Sequence, residues 1–283
     1  MFDYAPSLYL KSSAVHRNGI KVRPQSLIPA ELELFAFETS IAKATGFFVT
    51  IDHQTWLVSN GHVFSGRHSE TNKSLSSQLA KPTEVRVRFL PKKDRRLPNI
   101  GSLVYTVAHF PLYSDDKPTW YQHEEGAQVD VAAVQVGVES HLDPLEPYAI
   151  DRTTGSVRSL VNRAMEKIKP GAEVFVVGFP LGLTGQALLP IWKRGTIASE
   201  PLTIENRVRS FLIDCATRSG LSGSPVFIEH VEDGDSYLVP IGLYSARKQK
   251  VDRFDSEIGI VYPLAFIDSV LASGTKPPTL YET

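Results

Sequence analysis

The sequence contains little cysteine and no long apolar run. Its single cysteine, Cys215, cannot form an internal disulfide, and no paired spacing of Cys and His residues indicates a structural zinc site. No stretch approaches the ~20 apolar residues that a membrane-spanning helix needs. The N-terminal residues also lack the basic and apolar segments of a secretory leader. We therefore predict a protein of a reducing, cytoplasmic compartment that has no membrane partner.

Neither sign of charge is in excess. The chain carries 30 Lys and Arg residues against 31 Asp and Glu residues, a formal net charge of -1. This balance creates no overall field that would attract nucleic acid or an anionic surface. One basic run lies at residues 86–96, but Arg86 and Arg88 alternate there with Val87 and Phe89, a pattern typical of a half-exposed strand. We predict no nucleic-acid partner.

What the sequence does contain is a series of short apolar runs separated by turn residues. Hydrophobic residues make up 42% of the chain and charged residues 22%, a balance typical of globular proteins. Runs rich in Val, Ile, Phe and Tyr and bounded by Gly, Pro, Asn or Asp predict β-strands. The predicted strands cover residues 45–51, 56–59, 84–90, 103–110, 129–136, 173–177, 195–199, 207–213, 224–228, 237–243 and 259–262.

These strands fall into two groups, which predicts a mainly β fold of two packed antiparallel six-stranded-type barrels. Between the groups, the chain mixes proline, charged residues and a weakly helical pattern. We assign residues 1–40 to an N-terminal arm, 41–140 to the first barrel and 141–170 to an interdomain linker. Residues 171–283 form the second barrel, with a C-terminal helix over 264–271.

The strongest chemical signal is a serine between glycines, Ser222 in the run GLSGSP at residues 220–225. A serine hydroxyl is a weak nucleophile until a base takes its proton, and the oxyanion that it generates needs fixed donors. Gly220 has no Cβ, so it can turn its N–H toward the same point as the N–H of Ser222. A lone motif of this kind is more often a turn that enters a strand. The serine therefore needs partners.

Two residues are candidates for those partners. His62 follows an apolar strand and a small-residue turn in VSNGHV at residues 58–63, and Asp130 precedes the apolar run VAAV. A carboxylate against a strand is costly unless it is hydrogen-bonded, and orienting an imidazole N–H would supply that bond. In isolation, His62 would more often be structural, and Asp130 could be a solvent-facing strand start. Asp115 and Asp116 compete with Asp130 in sequence order but lie in a turn-like segment.

Together these motifs resemble the trypsin/chymotrypsin superfamily, in particular its bacterial HtrA-like and related trypsin-like peptidase branches, without a PDZ domain. The chain order His, Asp, Ser is that of the family. The runs VGFPLG (177–182), GTIAS (195–199), IGLYS (241–245) and GIVYP (259–263) resemble strands of its second barrel. The matching motifs run from about residue 44 to residue 271.

The resemblance implies a serine endopeptidase that acts on a protein or peptide. Ser222 attacks the peptide carbonyl, His62 moves the proton, and Asp130 fixes the His62 tautomer. The N–H groups of Gly220 and Ser222 stabilise the oxyanion, and water hydrolyses the acyl-enzyme. No metal or organic cofactor is required. The implied substrate-pocket residues are Ala216, Thr217, Leu243, Tyr244 and Ser245.

The sequence departs from the family pattern at Leu221 and Ser224, and at Gly61, where the family commonly has alanine or tryptophan. Leu221 stands where pancreatic-type enzymes have an aspartate that pairs with a newly cleaved N-terminus, so that activation switch is unavailable. Ser224 replaces the usual second glycine. The main alternative function is a pseudoprotease or latent protease that acts as a binding or regulatory module, with an activating partner. An esterase or transferase is disfavoured by the chain order. Cys215, close to the implied pocket, is interpreted as a buried structural thiol.

Overall fold

The computed structural model describes residues 11, 13–17, 20–68, 71–75, 79–92, 103–137, 146–201, 203–204, 207–208, 210–247 and 257–278. Within these residues, the protein is mainly β, which confirms the predicted fold class. No helix in this part of the chain combines the length and the apolar character needed to span a membrane.

The first half of the chain builds one large sheet. The strands up to residue 151 are β1 (Val15–Arg17), β2 (Ile20–Val22), β3 (Pro29–Ala36), β4 (Thr39–Ile51), β5 (Gln54–Ser59), β6 (Glu84–Phe89), β7 (Thr106–Pro111), β8 (Tyr113–Ser114), β9 (Lys117–Pro118), β10 (Tyr121–Gln122), β11 (Ala132–Gln135) and β12 (Ala149–Asp151). Eight of them form the sheet, in the order β10-β11-β5-β4-β3-β6-β7 with β12 parallel to β4. Among the described residues, this sheet curls but does not close into a barrel.

Strand β6 shows why this sequence forms strands. Its side chains alternate between partly exposed and buried, with Val85, Val87 and Phe89 inside. Arg88 on the outer face donates to the Glu31 carboxylate from Nε at 2.8 Å. The alternation predicted for this basic run is therefore confirmed over residues 84–89. Residues 93–100 lie outside the described part of the chain.

The second half of the chain forms a closed six-stranded barrel. Its strands are β13 (Glu173–Gly178), β14 (Ile191–Ile197), β17 (Phe211–Asp214), β18 (Pro225–Glu232), β19 (Asp235–Arg247) and β20 (Ile258–Pro263), and a separate hairpin contains β15 (Thr203–Ile204) and β16 (Arg207–Val208). The barrel order is β13-β14-β17-β20-β19-β18, with β18 pairing back to β13. The single strand predicted over 207–213 is thus two strands in two different sheets.

Three α-helices occur among the described residues, α1 (Gly61–Ser65), α2 (Gly155–Met165) and α3 (Leu264–Ser273). Short 3-10 helices cover Pro24–Leu27, Gly126–Gln128, Pro180–Gly182 and Gln186–Leu188. Helix α2 lies in the segment assigned to the linker, and it buries Val157, Leu160, Val161 and Ala164 along one face. Helix α3 agrees with the predicted C-terminal helix. The Arg152 guanidinium, almost fully buried, pairs with Asp268 on α3 at 2.9 Å.

The first sheet begins earlier in the chain than we expected. Strand β3 belongs to the segment assigned to an N-terminal arm, yet it pairs with β4 on one side and β6 on the other. Its neighbouring positions Ala30, Leu32 and Leu34 are buried, and Glu31 and Glu33 alternate with them. The two glutamates made the run look polar in sequence. Their pairing partners on β6 are Arg88 and Arg86.

One apolar core continues from the second barrel into its junction with the first sheet. Phe47, Val58 and Val131 of the first half pack in the same cluster as Val176 and Phe227 of the second. Burial of large apolar side chains on both sides contributes ~25 cal/mol per Å². This packing holds the ends of β5, β11 and β18 close together, and the predicted catalytic residues lie at these ends.

Candidate active site

His62 and Asp130 are brought together by the pairing of two neighbouring strands. His62 lies in α1, directly after β5, and Asp130 lies just before β11. Because Ala132 of β11 pairs with Ser59 of β5, the two side chains meet at one edge of the sheet. Asp130 Oδ2 and His62 Nδ1 are 2.5 Å apart, and the His62 backbone N–H donates to Asp130 Oδ1 at 2.8 Å. One carboxylate therefore holds both the ring and the main chain of His62.

The Asp130 carboxylate is buried and fully engaged. The Ser245 hydroxyl donates to Asp130 Oδ2 at 2.5 Å, and Asn60 Nδ2 donates to the Asp130 backbone carbonyl at 2.7 Å. Burial alone would raise the pKa of Asp130, but the adjacent His62 and the hydrogen bonds from His62 and Ser245 together lower that pKa below its ordinary value. The ionised carboxylate favours the His62 tautomer that carries its proton on Nδ1.

Ser222 lies in the loop before β18, and its hydroxyl is bonded to a main-chain carbonyl. It donates to the Ser245 carbonyl oxygen at 2.8 Å. Within the described residues, no hydrogen bond joins the Ser222 hydroxyl to the His62 ring. Ser245 thus contacts both halves of the site, since its hydroxyl binds Asp130 and its carbonyl binds Ser222. Sequence reasoning placed Ser245 in a substrate pocket and missed both of these contacts.

The loop before Ser222 requires glycine at its turn. Gly220 has a φ of 92°, and a Cβ there would lie 2.5 Å from the Phe179 carbonyl oxygen. The Ser219 carbonyl accepts a hydrogen bond from the Leu181 backbone N–H at 2.6 Å. The C=O and N–H of a trans peptide point in opposite directions, so the Gly220 N–H points away from Leu181. In the described part of the chain, the N–H groups of Gly220 and Ser222 have no protein acceptor.

Thr45 ties this loop to the first sheet. It is fully buried on β4, and its backbone N–H donates to the Ser222 carbonyl at 2.9 Å. Its hydroxyl donates to the Gly220 carbonyl at 2.8 Å and accepts the Phe179 N–H at 3.0 Å. Its own carbonyl accepts from the Ser59 hydroxyl at 2.9 Å. Sequence reasoning missed Thr45 because threonine is an ordinary strand residue, and nothing in the local sequence sets it apart.

The predicted pocket residues are close together, and the side chain of Tyr244 occupies the space between Thr217 and Gly259. Thr217 and Tyr244 are both buried, and their hydroxyl oxygens are 2.6 Å apart. The Tyr244 ring lies over the Cα of Gly259, where any Cβ would clash with it. The side chain of Tyr244 therefore joins the two segments that contain the predicted pocket residues, 216–217 and 243–245, which would form the walls of the pocket. The other predicted pocket residues are Ala216, which is half-buried, Leu243, which is fully buried, and Ser245.

Cys215 has the properties of an inert thiol. Its side chain is buried, and burial raises the pKa of the thiol to about 11. At neutral pH, very little thiolate is present to act as a nucleophile. The Sγ atom lies 3.6 Å from the Arg194 carbonyl oxygen, a weak contact. The interpretation of Cys215 as a buried thiol is confirmed.

Two of the departures from the family pattern, at Leu221 and Ser224, are accommodated in the fold. Leu221 is fully buried in the core of the second barrel. Ser224 is also fully buried, and its N–H donates to the Leu221 carbonyl at 2.9 Å while its carbonyl accepts from the Tyr244 N–H at 2.8 Å. Its hydroxyl lies against Gly178, where a Cβ would clash with it. The turn around Ser222 therefore forms with serine in place of the second glycine.

Comparison with known families identifies one match. The model of the trypsin-like peptidase domain matches residues 44–232, well over half of the chain, and the match includes His62, Asp130 and Ser222. Among curated proteins, none matches the chain by sequence.

Several solved structures are similar to the chain at low identity. The Rv3671c protease from M. tuberculosis in its active form is 19% identical, with a TM-score of 0.45 over 90% of this chain and 84% of that one. The thermostable serine protease AL20 from an extremophilic microorganism is 12% identical, with a TM-score of 0.47 over 86% of this chain and 94% of that one. The serine endoprotease from Yersinia pestis is 12% identical, with a TM-score of 0.47 over 87% and 62%.

Proposed function

Because the chain belongs to the trypsin-like peptidase domain family and is a serine-type peptidase, we propose that it is an endopeptidase whose catalytic triad is His62, Asp130 and Ser222. The observation that carries this proposal is the buried Asp130 carboxylate, which binds Nδ1 and the backbone N–H of His62 at 2.5 and 2.8 Å. An aspartate that holds an imidazole in this way leaves Nε2 free to act as a base.

In the proposed reaction, the Ser222 hydroxyl first leaves the Ser245 carbonyl and turns to His62. His62 Nε2 then takes the hydroxyl proton as Oγ attacks the substrate carbonyl carbon. The N–H groups of Gly220 and Ser222 donate to the oxyanion, and the Thr45 hydroxyl holds the Gly220 peptide in place. The protonated His62 gives its proton to the leaving amine. Water then attacks the acyl carbon as His62 Nε2 takes its proton, and His62 passes that proton to Ser222 Oγ as the bond between the acyl group and Oγ breaks.

The bound Ser222 hydroxyl also favours a second candidate function, a latent peptidase that is activated by a protein partner. A hydroxyl that donates to the Ser245 carbonyl cannot at the same time donate to His62, because it has one proton. Unliganded sites often have loose catalytic hydrogen bonds that tighten when substrate binds. If substrate alone activates the site, the purified protein should be active without any addition. If a partner is needed, the purified protein should be inactive until that partner is added.

The proposed primary pocket accepts a small side chain. Tyr244 fills the space between the two walls, and its bond to Thr217 fixes it there at 2.6 Å. A ring held in this position leaves room for Gly, Ala or Ser rather than for a long or aromatic side chain. We also propose a cytoplasmic location, which is supported by the single cysteine and the absence of any internal disulfide that it implies.

Labelling with a fluorophosphonate probe tests the triad. The probe needs an activated serine and an oxyanion site, so we expect a mass increase on the peptide that contains Ser222. His62→Ala and Ser222→Ala should abolish the label, whereas Ser219→Ala, a change at an exposed neighbouring serine, should keep it. Absence of label on folded protein, followed by label after addition of cell extract, would favour the latent peptidase. Absence under both conditions would contradict both proposals.

A further inference from the structure

A cavity of about 290 Å³ lies beside the His62–Asp130 pair. One wall contains His62 itself, and the opposite walls come from the loop after α1 and from the segment that precedes Asp130. None of the residues predicted for the primary pocket lines it.

The cavity carries an excess of positive charge. Arg67 and Lys81 line it, and among its described lining residues the only acidic one is Asp130. The Asp130 oxygens are already occupied by His62 and Ser245. Within the described part of the chain, neither Arg67 nor Lys81 forms an ion pair with a carboxylate. Among the described residues, Arg67 and Lys81 are therefore available to bind an anionic group.

Lys81 is partly desolvated, and no carboxylate in the described part of the chain forms an ion pair with it. Its ammonium lies 4.0 Å above the centre of the Tyr113 ring, and its side chain is half-buried. Burial, followed by the repulsion of Arg67, lowers the pKa of Lys81 to about 8, and Asp116 opposes that shift. A cation that has lost part of its hydration is stabilised by a bound anion more than a fully hydrated cation is. The amine remains mostly protonated at neutral pH.

The cavity is held open by fixed elements. Pro277 and Pro278 form part of its wall. Their segment is anchored to β10, because the Gln122 N–H donates to the Thr275 carbonyl at 2.9 Å and the Thr275 N–H donates back at 3.0 Å. Lys276 also lies over the Tyr121 ring at 5.4 Å. A site whose walls are fixed in advance loses less conformational entropy when it binds a ligand.

We infer that this cavity is a binding site for an acidic side chain of the substrate, held by Lys81 and Arg67, and that the enzyme prefers peptides with Asp or Glu close to the cleaved bond. This inference rests on the proposed peptidase function. A carboxylate fits because two cations with rigid surroundings face a space that borders the His62 ring. An aromatic wall of Tyr113 and the buried Trp120 would contact the methylene groups of the same side chain.

The first test is a cleavage profile on a mixed peptide library, analysed by mass spectrometry. We expect Asp and Glu to be enriched at one or two fixed positions near the cleaved bond. The best acidic peptide and its Gln-substituted counterpart then give a ratio of kcat/KM values. Lys81→Met and Arg67→Gln should each lower this ratio by about 10-fold, because each removes one charge-assisted contact. The matched control is Lys73→Met, which changes an exposed lysine outside the cavity and should leave the ratio unchanged.

A second measurement does not need catalysis. The same library is passed over immobilised Ser222→Ala protein, and the retained peptides should be rich in Asp and Glu, with the enrichment lost in the Lys81→Met background. Cleavage or retention without acidic enrichment would overturn the inference and leave the peptidase proposal intact. Acidic retention without any cleavage or probe label would support the acidic site and count against the endopeptidase. Equal ratios in the Lys81→Met and unchanged proteins would also overturn the inference.

Discussion

The two halves of the site differ in how completely they are assembled. On the first sheet, the buried Asp130 carboxylate is close to His62 Nδ1, and Asn60 and Ser245 donate further hydrogen bonds to Asp130. On the second barrel, Ser222 is placed close by, but its hydroxyl is bonded to the Ser245 carbonyl. The difference teaches that the pairing of two neighbouring strands brings the base and its carboxylate together, whereas the loop that holds the nucleophile is tied to the other half by Thr45.

The largest expected effect comes from a substitution that removes the hydrogen bond between Asp130 and His62. Asp130→Asn keeps the shape of the side chain but offers an amide N–H where His62 Nδ1–H needs an acceptor. We expect kcat to fall by about 10⁴-fold. The measurement is the turnover of the best library peptide, with the rate of fluorophosphonate labelling as a second readout. Glu31→Gln, a change in another partly buried carboxylate of the same sheet, should keep turnover within a few-fold of the unchanged protein. Comparable losses in both variants would mean that the effect is structural.

The next largest effect is expected from the contacts of Thr45, which join the first sheet to the loop that contains Ser222. Thr45→Val removes a hydroxyl that serves both the Gly220 carbonyl and the Phe179 N–H, while it keeps the side-chain volume. Leaving buried polar groups unpaired costs about 1–3 kcal/mol. If part of that free energy is lost from the arrangement of the oxyanion loop, labelling should slow by about 10-fold. The checks are the labelling rate and the free energy of unfolding in urea.

Thr45→Ser is the matched control, because it restores the hydroxyl. It should recover the labelling rate even where stability stays slightly reduced. If Thr45→Val labels as fast as the unchanged protein, the loop does not need this bond for its reactive shape.

A third prediction tests whether Tyr244 limits the size of the primary pocket in the second barrel. Tyr244→Val should open the space between Thr217 and Gly259, so cleavage after larger apolar residues should increase relative to cleavage after Ala. One or two methylene groups in such a pocket change the preference by about 10-fold. The ratio of kcat/KM for matched peptides measures it, and Tyr244→Phe, which retains the ring, should keep the preference for Ala. An unchanged ratio in Tyr244→Val would place the primary pocket elsewhere.

The smallest effect lies far from the site, at His230 on β18. The ring is 2% exposed, and neither of its nitrogens has a hydrogen-bond partner in the described part of the chain. Burial lowers the pKa of His230 below 6.5. The unfolded chain therefore binds this proton more readily, so its contribution is present above pH ~6.5 and is lost as the pH falls below that value.

Melting temperatures at pH 7.5 and pH 5.5 check the direction of this effect. The difference between the two temperatures should shrink in His230→Leu, which removes the titrating group and keeps the position apolar. An equal difference in both proteins would assign the pH dependence to other groups.

The sequence predicted the local parts of this arrangement well. The strand pattern, the terminal helix and the glycine turn at Gly220 follow from side-chain alternation and from backbone sterics, which act over a few residues. The proximity of His62 and Asp130 also follows, because each ends or precedes an apolar strand. Their catalytic roles, and that of Ser222, stay predictions.

Contacts between distant segments could not be predicted in the same way. Thr45 and Gly220 are 175 positions apart, and nothing in either local sequence indicates that a hydroxyl and a carbonyl will meet. The same holds for Ser245, whose hydroxyl and carbonyl serve different partners. Strand β3 was missed for a related reason: its glutamates look solvent-facing until the arginines of β6 are placed beside them.

The inert state of Cys215 makes this protein convenient for attaching a reporter group. Its thiol is buried and has a pKa of about 11, so a maleimide dye at neutral pH should not react with it. A cysteine introduced at Asn72, exposed at the rim of the basic cavity, would then be the only reactive thiol. A fluorophore attached there would report peptide binding in real time, in a protein that needs no cysteine removed beforehand.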